Sequence, residues 1–170
     1  MPTVVVTRPQ TQVPQSGCCS CLHTAFLSER VGVCKLAEVL FGGICLGLVF
    51  TYGTPIWLLL GPSYALFITS SAAAVIGATV ALFSYLISAH TYRTVRSTVY
   101  EIVQNVVASI LYISASVFLL IQTSVFLWPM YLIIPYFQAY PALMTAGVFG
   151  IASCLIHIYD AYHAYKSFKQ

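Results

Sequence analysis

The chain sorts its polar and apolar positions into blocks. Every charge falls at Arg8, Glu29, Arg30, Lys35, Glu38, Arg93, Arg96, Glu101, Asp160, Lys166 or Lys169. Residues 39–92 and 102–159, runs of 54 and 58 positions, carry none. One helical membrane span takes about 20 apolar residues. Each run is too long for one span and fits two spans with a connection.

Breaks sit where that division needs them. Gly53, Pro55, Gly61 and Pro62 interrupt the first run, and Pro129, Pro135 and Pro141 the second; such clusters punctuate periodic segments. The pattern predicts four helices, at about 31–55, 62–89, 97–127 and 141–165. A transmembrane barrel would need strands of alternating polarity. The stretch Ala72-Ala73-Ala74-Val75-Ile76-Gly77-Ala78 does not alternate. The expected fold class is all-α: a polytopic membrane protein built as a four-transmembrane-helix bundle.

Composition agrees. Of 170 residues 59% are apolar and 6% charged, with a mean hydropathy of +0.88. Soluble domains carry about 25% charged residues, so a water-covered surface cannot be assembled here. Disorder of the whole chain is excluded by its apolar content.

The cations set the expected orientation. Arg8, Arg30 and Lys35 precede or open the first helix, Arg93 and Arg96 join the second to the third, and Lys166 and Lys169 follow the fourth. The other two connections, about 52–62 and 128–140, hold no Lys or Arg. All seven cations thus fall on one side, which the positive-inside rule makes cytoplasmic, with both termini. The first 17 residues are polar and lack the apolar core of a signal peptide. Residues 1–25 read as a disordered cytoplasmic tail and 26–168 as the membrane domain. The localisation expected is multi-pass, in the plasma membrane, in secretory and endosomal vesicles, or both.

Six cysteines are present, and none lies in the two outer connections. Cys18, Cys19 and Cys21 cluster about ten residues before the first helix. Juxtamembrane cytoplasmic cysteines are typical S-acylation sites. Acylation would pin the tail to the inner leaflet, since four helices already anchor the chain. A zinc site would need a second cysteine or histidine pair.

Small residues recur at packing intervals: Gly43 and Gly47, then Ala73, Gly77 and Ala81, then Ala146, Gly150 and Cys154. Such spacing lets helix backbones approach closely. Packing inside the bundle is the expectation for all of them, with a contact between two copies through Gly43 and Gly47 as the alternative. Lys35 and Glu38 are i,i+3 neighbours able to pair. Together with Glu101 and Asp160 they fall at cytoplasmic helix ends, as an interfacial ion-pair layer that sets helix depth. Gln104 and Asn105 extend that polar zone slightly inward. A proton or ion pathway would need charge in the outer half of the helices, where there is none. His23, His90, His157 and His163 read as interface residues. No catalytic motif stands out, so no enzyme activity, cofactor, metal or nucleic-acid partner is expected.

The second outer connection is uncharged and apolar. Trp128, Tyr131, Ile133, Ile134, Tyr136 and Phe137 lie in it. Aromatic rings favour the headgroup level, and a free apolar loop in water is costly. This segment is expected on the outer leaflet or against a partner.

In these features the chain resembles the MARVEL-domain family, in its MAL or chemokine-like-factor branch. The resemblance rests on Phe26-Leu27 followed by Gly32, on Lys35-Leu36-Ala37-Glu38, and on 101–116. It continues through Phe149-Gly150-Ile151-Ala152 to Tyr159-Asp160-Ala161-Tyr162. The chain departs from the family in lacking the proline that often precedes the first-helix glycine. The resemblance implies a non-enzymatic protein that organises membrane domains in vesicle trafficking, membrane apposition or cell–cell fusion, myoblast fusion included. A cell-junction component is the alternative, and a small channel or proton pathway a third reading. The partners implied are the lipid bilayer and other membrane proteins, a second copy of the chain among them.

Overall fold

A computed structural model describes residues 24–169. Four helical segments, Arg30–Leu60, Pro62–Ile87, Val99–Ile133 and Ala139–Phe168, are long and apolar enough to cross a membrane. Among the described residues there is no strand.

Each segment has its own local cause. Helix α1 (Arg30–Gly53) runs through a 3-10 turn, Thr54–Ile56, into α2 (Trp57–Leu60). Gly61 reverses the chain at φ +55, where a side chain would be strained. Pro62 then opens α3 (Pro62–Ile87), a position at which its missing N–H is no loss. Ser88 caps α4 (Ala89–Arg96) by accepting from the Thr91 N–H at 3.1 Å. Helix α5 (Val99–Gln122) passes through a π-helical turn, Thr123–Leu127, into α6 (Trp128–Ile133). A short turn holding Tyr136 at φ 63 leads into α7 (Ala139–Phe168).

The spans close into a ring in which α1 touches α3 and α7, and α5 touches the same two helices. Toward the end away from the termini the interior is apolar, with Cys45, Val49, Phe67, Leu119, Leu143 and Ala146 buried together. The outside is apolar too: Leu40, Phe50, Ile76, Phe83, Ile110 and Leu155 are exposed. Hydroxyls on that surface are satisfied within their own helix. Thr69, Ser84, Ser114 and Thr145 each donate to the carbonyl four residues back, at 2.7–2.9 Å. In hydrocarbon no water could take that role.

Both predicted outer connections are mostly helix. Trp128, Tyr131 and Ile133 belong to α6 rather than to a loop, and 134–138 alone form the turn. Pro129 does not break the segment because it stands in the first turn of α6, where its absent N–H is tolerated. Helix α4 was not anticipated, being too short and polar to register as a span.

Candidate functional site

The end of the bundle that carries the termini encloses a network of charged side chains. Helix α1 supplies Lys35 and Glu38, the end of α4 supplies Arg96, α5 supplies Glu101 and Asn105, and α7 supplies His157 and Asp160. None of the seven is more than 5% exposed. Lys35 Nζ lies 3.0 Å from Glu38 Oε2, 2.8 Å from Asp160 Oδ2 and 3.7 Å from Glu101 Oε1. It also donates to Asn105 Oδ1 at 3.2 Å. Arg96 Nη1 bridges Glu101 Oε1 at 2.7 Å and Asp160 Oδ1 at 2.8 Å.

Asn105 fixes the proton positions around it. Its Nδ2 donates to Asp160 Oδ2 at 2.9 Å. Its Oδ1 must therefore accept, so His157 Nδ1, 3.1 Å from that oxygen, carries a hydrogen. The same nitrogen stands 3.3 Å from Glu38 Oε1. The imidazole lies nearly flat on Tyr112, with ring centres 5.7 Å apart. Three carboxylates thus meet two permanent cations and one donating imidazole. Taken from water singly, each charge would be costly; together they pair with one another, although Glu101 Oε2 and Arg96 Nε and Nη2 have no hydrogen-bond partner among the described residues. The arrangement joins α1, α5 and α7 at one level.

Arg96 sits outside the spans. Burial by itself would lower its pKa, but the Asp160 and Glu101 carboxylates outweigh that and hold it above the ordinary arginine value. Beside it a 3-10 segment, Thr24–Ser28, folds back under the bundle. Phe26 is fully buried, its ring centre 5.5 Å from that of Tyr85 and 5.1 Å from that of Tyr92. Gly32 makes this possible, because a Cβ there would overlap the Phe26 carbonyl. Tyr92 donates to Glu29 Oε2 at 2.9 Å. Burial, and then that hydrogen bond, push the Tyr92 phenol up to about 12.

The acids and Lys35 were expected as an interfacial layer. They do pair, as one buried network that also takes in Arg96, Asn105 and His157, members that local spacing does not point to. Asp160 is joined to Lys35 and Arg96 from other helices. The small residues divide. A Cβ on Gly43 or Gly47 would meet nothing within 4 Å, and both are exposed, so neither packs inside the bundle. Their neighbour Gly42 packs in their place, against Val75 and Tyr112. Gly150 faces Ser116 and Phe67, Gly77 faces Gln104, and Ala146 is buried in the apolar core. Ala73 is exposed and Ala81 half-buried along the α3–α5 seam. At the opposite end Trp128, Tyr131 and Tyr140 gather with ring centres 5.1–6.2 Å apart. Ile133, Ile134 and Tyr136 are exposed and Phe137 is half-buried. Cys18, Cys19 and Cys21 lie outside the described residues, as does nearly all of the predicted tail 1–25.

A ring of four spans with an apolar exterior and a buried network of paired charges at one end defines a four-span integral membrane protein. The chain belongs to the MARVEL family, whose model, described as a membrane-associating domain, matches residues 26–163. Among curated proteins it is similar to Protein singles bar of Drosophila melanogaster, 30% identical over 151 residues, which is 89% of this chain and 86% of that one. No solved structure matches the chain.

Proposed function

We propose that this protein is a non-enzymatic organiser of membrane domains, acting in vesicle trafficking, membrane apposition or cell–cell fusion. One observation carries the reading: nearly everything the described spans present outward is apolar helix surface, and Lys35, Glu38, Glu101 and Asp160 turn inward into the network. Such a molecule acts through lipids, lateral contacts and its outer turn. Both termini lie in the cytoplasm, because the cations of the termini and of the 88–98 connection share that side. Cys18, Cys19 and Cys21 are S-acylated there. The compartments are the plasma membrane and the secretory and endosomal vesicles.

A second reading, as a cell-junction component, draws on the outer turn. Ile133 is 79% and Tyr136 96% exposed, in a segment without charge. An ion pathway is disfavoured by the apolar core of Val49, Leu119 and Leu143 above the network.

The test is to replace Ile133 and Ile134 with lysine in an endogenously tagged chain and image cell contacts. Loss of contact enrichment with normal surface delivery supports an apposition or junction role. Unchanged placement would sink it and leave vesicle trafficking.

A further inference from the structure

Helices α3 and α5 touch, but their packing leaves space between them. Two cavities lie along that seam, of about 310 and about 290 Å3. Tyr100 and Gln104 line both. Small residues make up much of the α3 side: Ala73 and Ala74 at one cavity, and Gly77, Ala81 and Ser84, with the larger Val80 and Tyr85, at the other. Gly77 leaves room for Gln104, whose Nε2 would lie 2.5 Å from a Cβ at that position. From Ala73 to Ser84 a helix rises ~16 Å. That is about half of the ~30 Å hydrocarbon thickness, so the seam is one leaflet deep. Its mouth is at α4, where Thr91 and Val95 line it. No Asp, Glu, Lys or Arg lines either cavity. A hydrocarbon chain suits such walls and a charged headgroup does not.

We propose that the seam seats the acyl chain carried by the protein's own tail, on Cys18, Cys19 or Cys21. This rests on the acylation reading given under Proposed function. The tail joins the described structure beside the mouth. Phe26 packs on Tyr85, and Tyr85 also lines the cavity that opens at α4. Cys21 precedes Thr24 by three positions, a reach of about 10 Å. From Thr24, close in sequence to Phe26 on Tyr85, a thioester on Cys21 would have that cavity as its nearest apolar space, with the chain running toward Ala73. The modification itself balances simply. The cysteine sulfur attacks the carbonyl carbon of an acyl-coenzyme A thioester. A new carbon–sulfur bond forms, the old one breaks, and coenzyme A leaves as the thiol with the cysteine's proton. A seated chain would hold the tail against α4 and take the place of a bilayer lipid in the seam.

The experiment uses the full-length chain in cells fed a palmitate analogue bearing a diazirine near its methyl end and a terminal alkyne. Labelling is read before and after hydroxylamine, and light-induced adducts are mapped by peptide mass spectrometry. The expected result is hydroxylamine-sensitive label, with adducts concentrated in 73–84 and 100–111. Those adducts should be lost when Cys18, Cys19 and Cys21 are changed to serine, which leaves the bundle untouched, and reduced by Ala73→Leu. Absence of hydroxylamine-sensitive label overturns the acylation reading and this proposal with it. Sensitive label with adducts on the outer faces of α1 or α7 overturns the seam alone. Seam adducts that persist in the serine variant show a bilayer lipid there and overturn it as well.

Discussion

Lys35 on the first span and Asp160 on the last are joined at 2.8 Å, both about 1% exposed. Their contact is the nearest approach of opposite charges between α1 and α7, and Arg96 reaches the other oxygen of the same carboxylate. One acid therefore ties the opening helix, the closing helix and the α4 connection together. The bundle needs such a device because lipid supplies no hydrophobic force between helices. Packing of small residues brings the helices close; the network decides which depths of α1, α5 and α7 face one another.

Removing one partner should therefore be more harmful than removing the charge of both. Lys35→Met leaves Glu38 and Asp160 buried with less compensation, and a loss of about 3–5 kcal/mol follows from breaking a buried pair. Adding Asp160→Asn should recover part of it. Unfolding in mixed detergent micelles measures all three variants. Losses that add to within about 0.5 kcal/mol would mean that the two residues are not coupled.

Gly150 and Gly47 are both glycines in helices, and the structure separates them. A Cβ at Gly150 would overlap Ser116 Oγ and press on Phe67, whereas one at Gly47 meets nothing within 4 Å. Gly150→Ala should cost about 1–3 kcal/mol through overpacking. Gly47→Ala should stay within about 0.5 kcal/mol of the parent. Thermal denaturation in detergent compares them directly; equal losses would contradict the packing described.

Four spans are legible in the charge spacing alone, since two uncharged runs of 54 and 58 residues admit few other divisions. The outer connections are less so. Pro55 and Pro129 look like breaks, yet each stands in the first turn of a new helical piece, where proline is tolerated. Lys35 with Glu38 is readable as an i,i+3 pair. Asp160 with Lys35 and Arg96 is not, because these contacts depend on how the ring closes. A signal was nevertheless present: three acids and two bases at one depth of a lipid-bound bundle can be buried only by pairing with one another. The two exposed glycines of α1 show the limit of spacing arguments. Glycines at positions 43 and 47 match a packing motif, while the neighbouring Gly42 makes the contact.

The orientation can be checked by glycosylation. Changing Tyr136 to asparagine and Gln138 to threonine creates an acceptor sequence in the turn between α6 and α7, and changing Arg93 to asparagine with Val95 to threonine creates one on α4. With both termini cytoplasmic, the first is expected to face the lumenal or extracellular side and the second the cytoplasm. A glycosidase-sensitive mass shift should appear only for the first. A shift for the second would reverse the topology.

Tyr136 combines a left-handed backbone, φ 63, with a ring that is 96% exposed. A non-glycine residue there is unfavourable by about 1–2 kcal/mol, and its side chain returns little packing. Tyr136→Gly relieves that strain but adds freedom to the unfolded chain, so stability should be unchanged or higher by up to about 1 kcal/mol. If the ring exists to meet an opposing surface, the same variant should lose enrichment at cell contacts while its melting temperature holds. Paired melting and imaging measurements on one tagged variant decide it. Stability and placement both unchanged would remove Tyr136 from the contact surface; a large fall in stability would mean that the ring holds the turn against Trp128, Tyr131 and Tyr140.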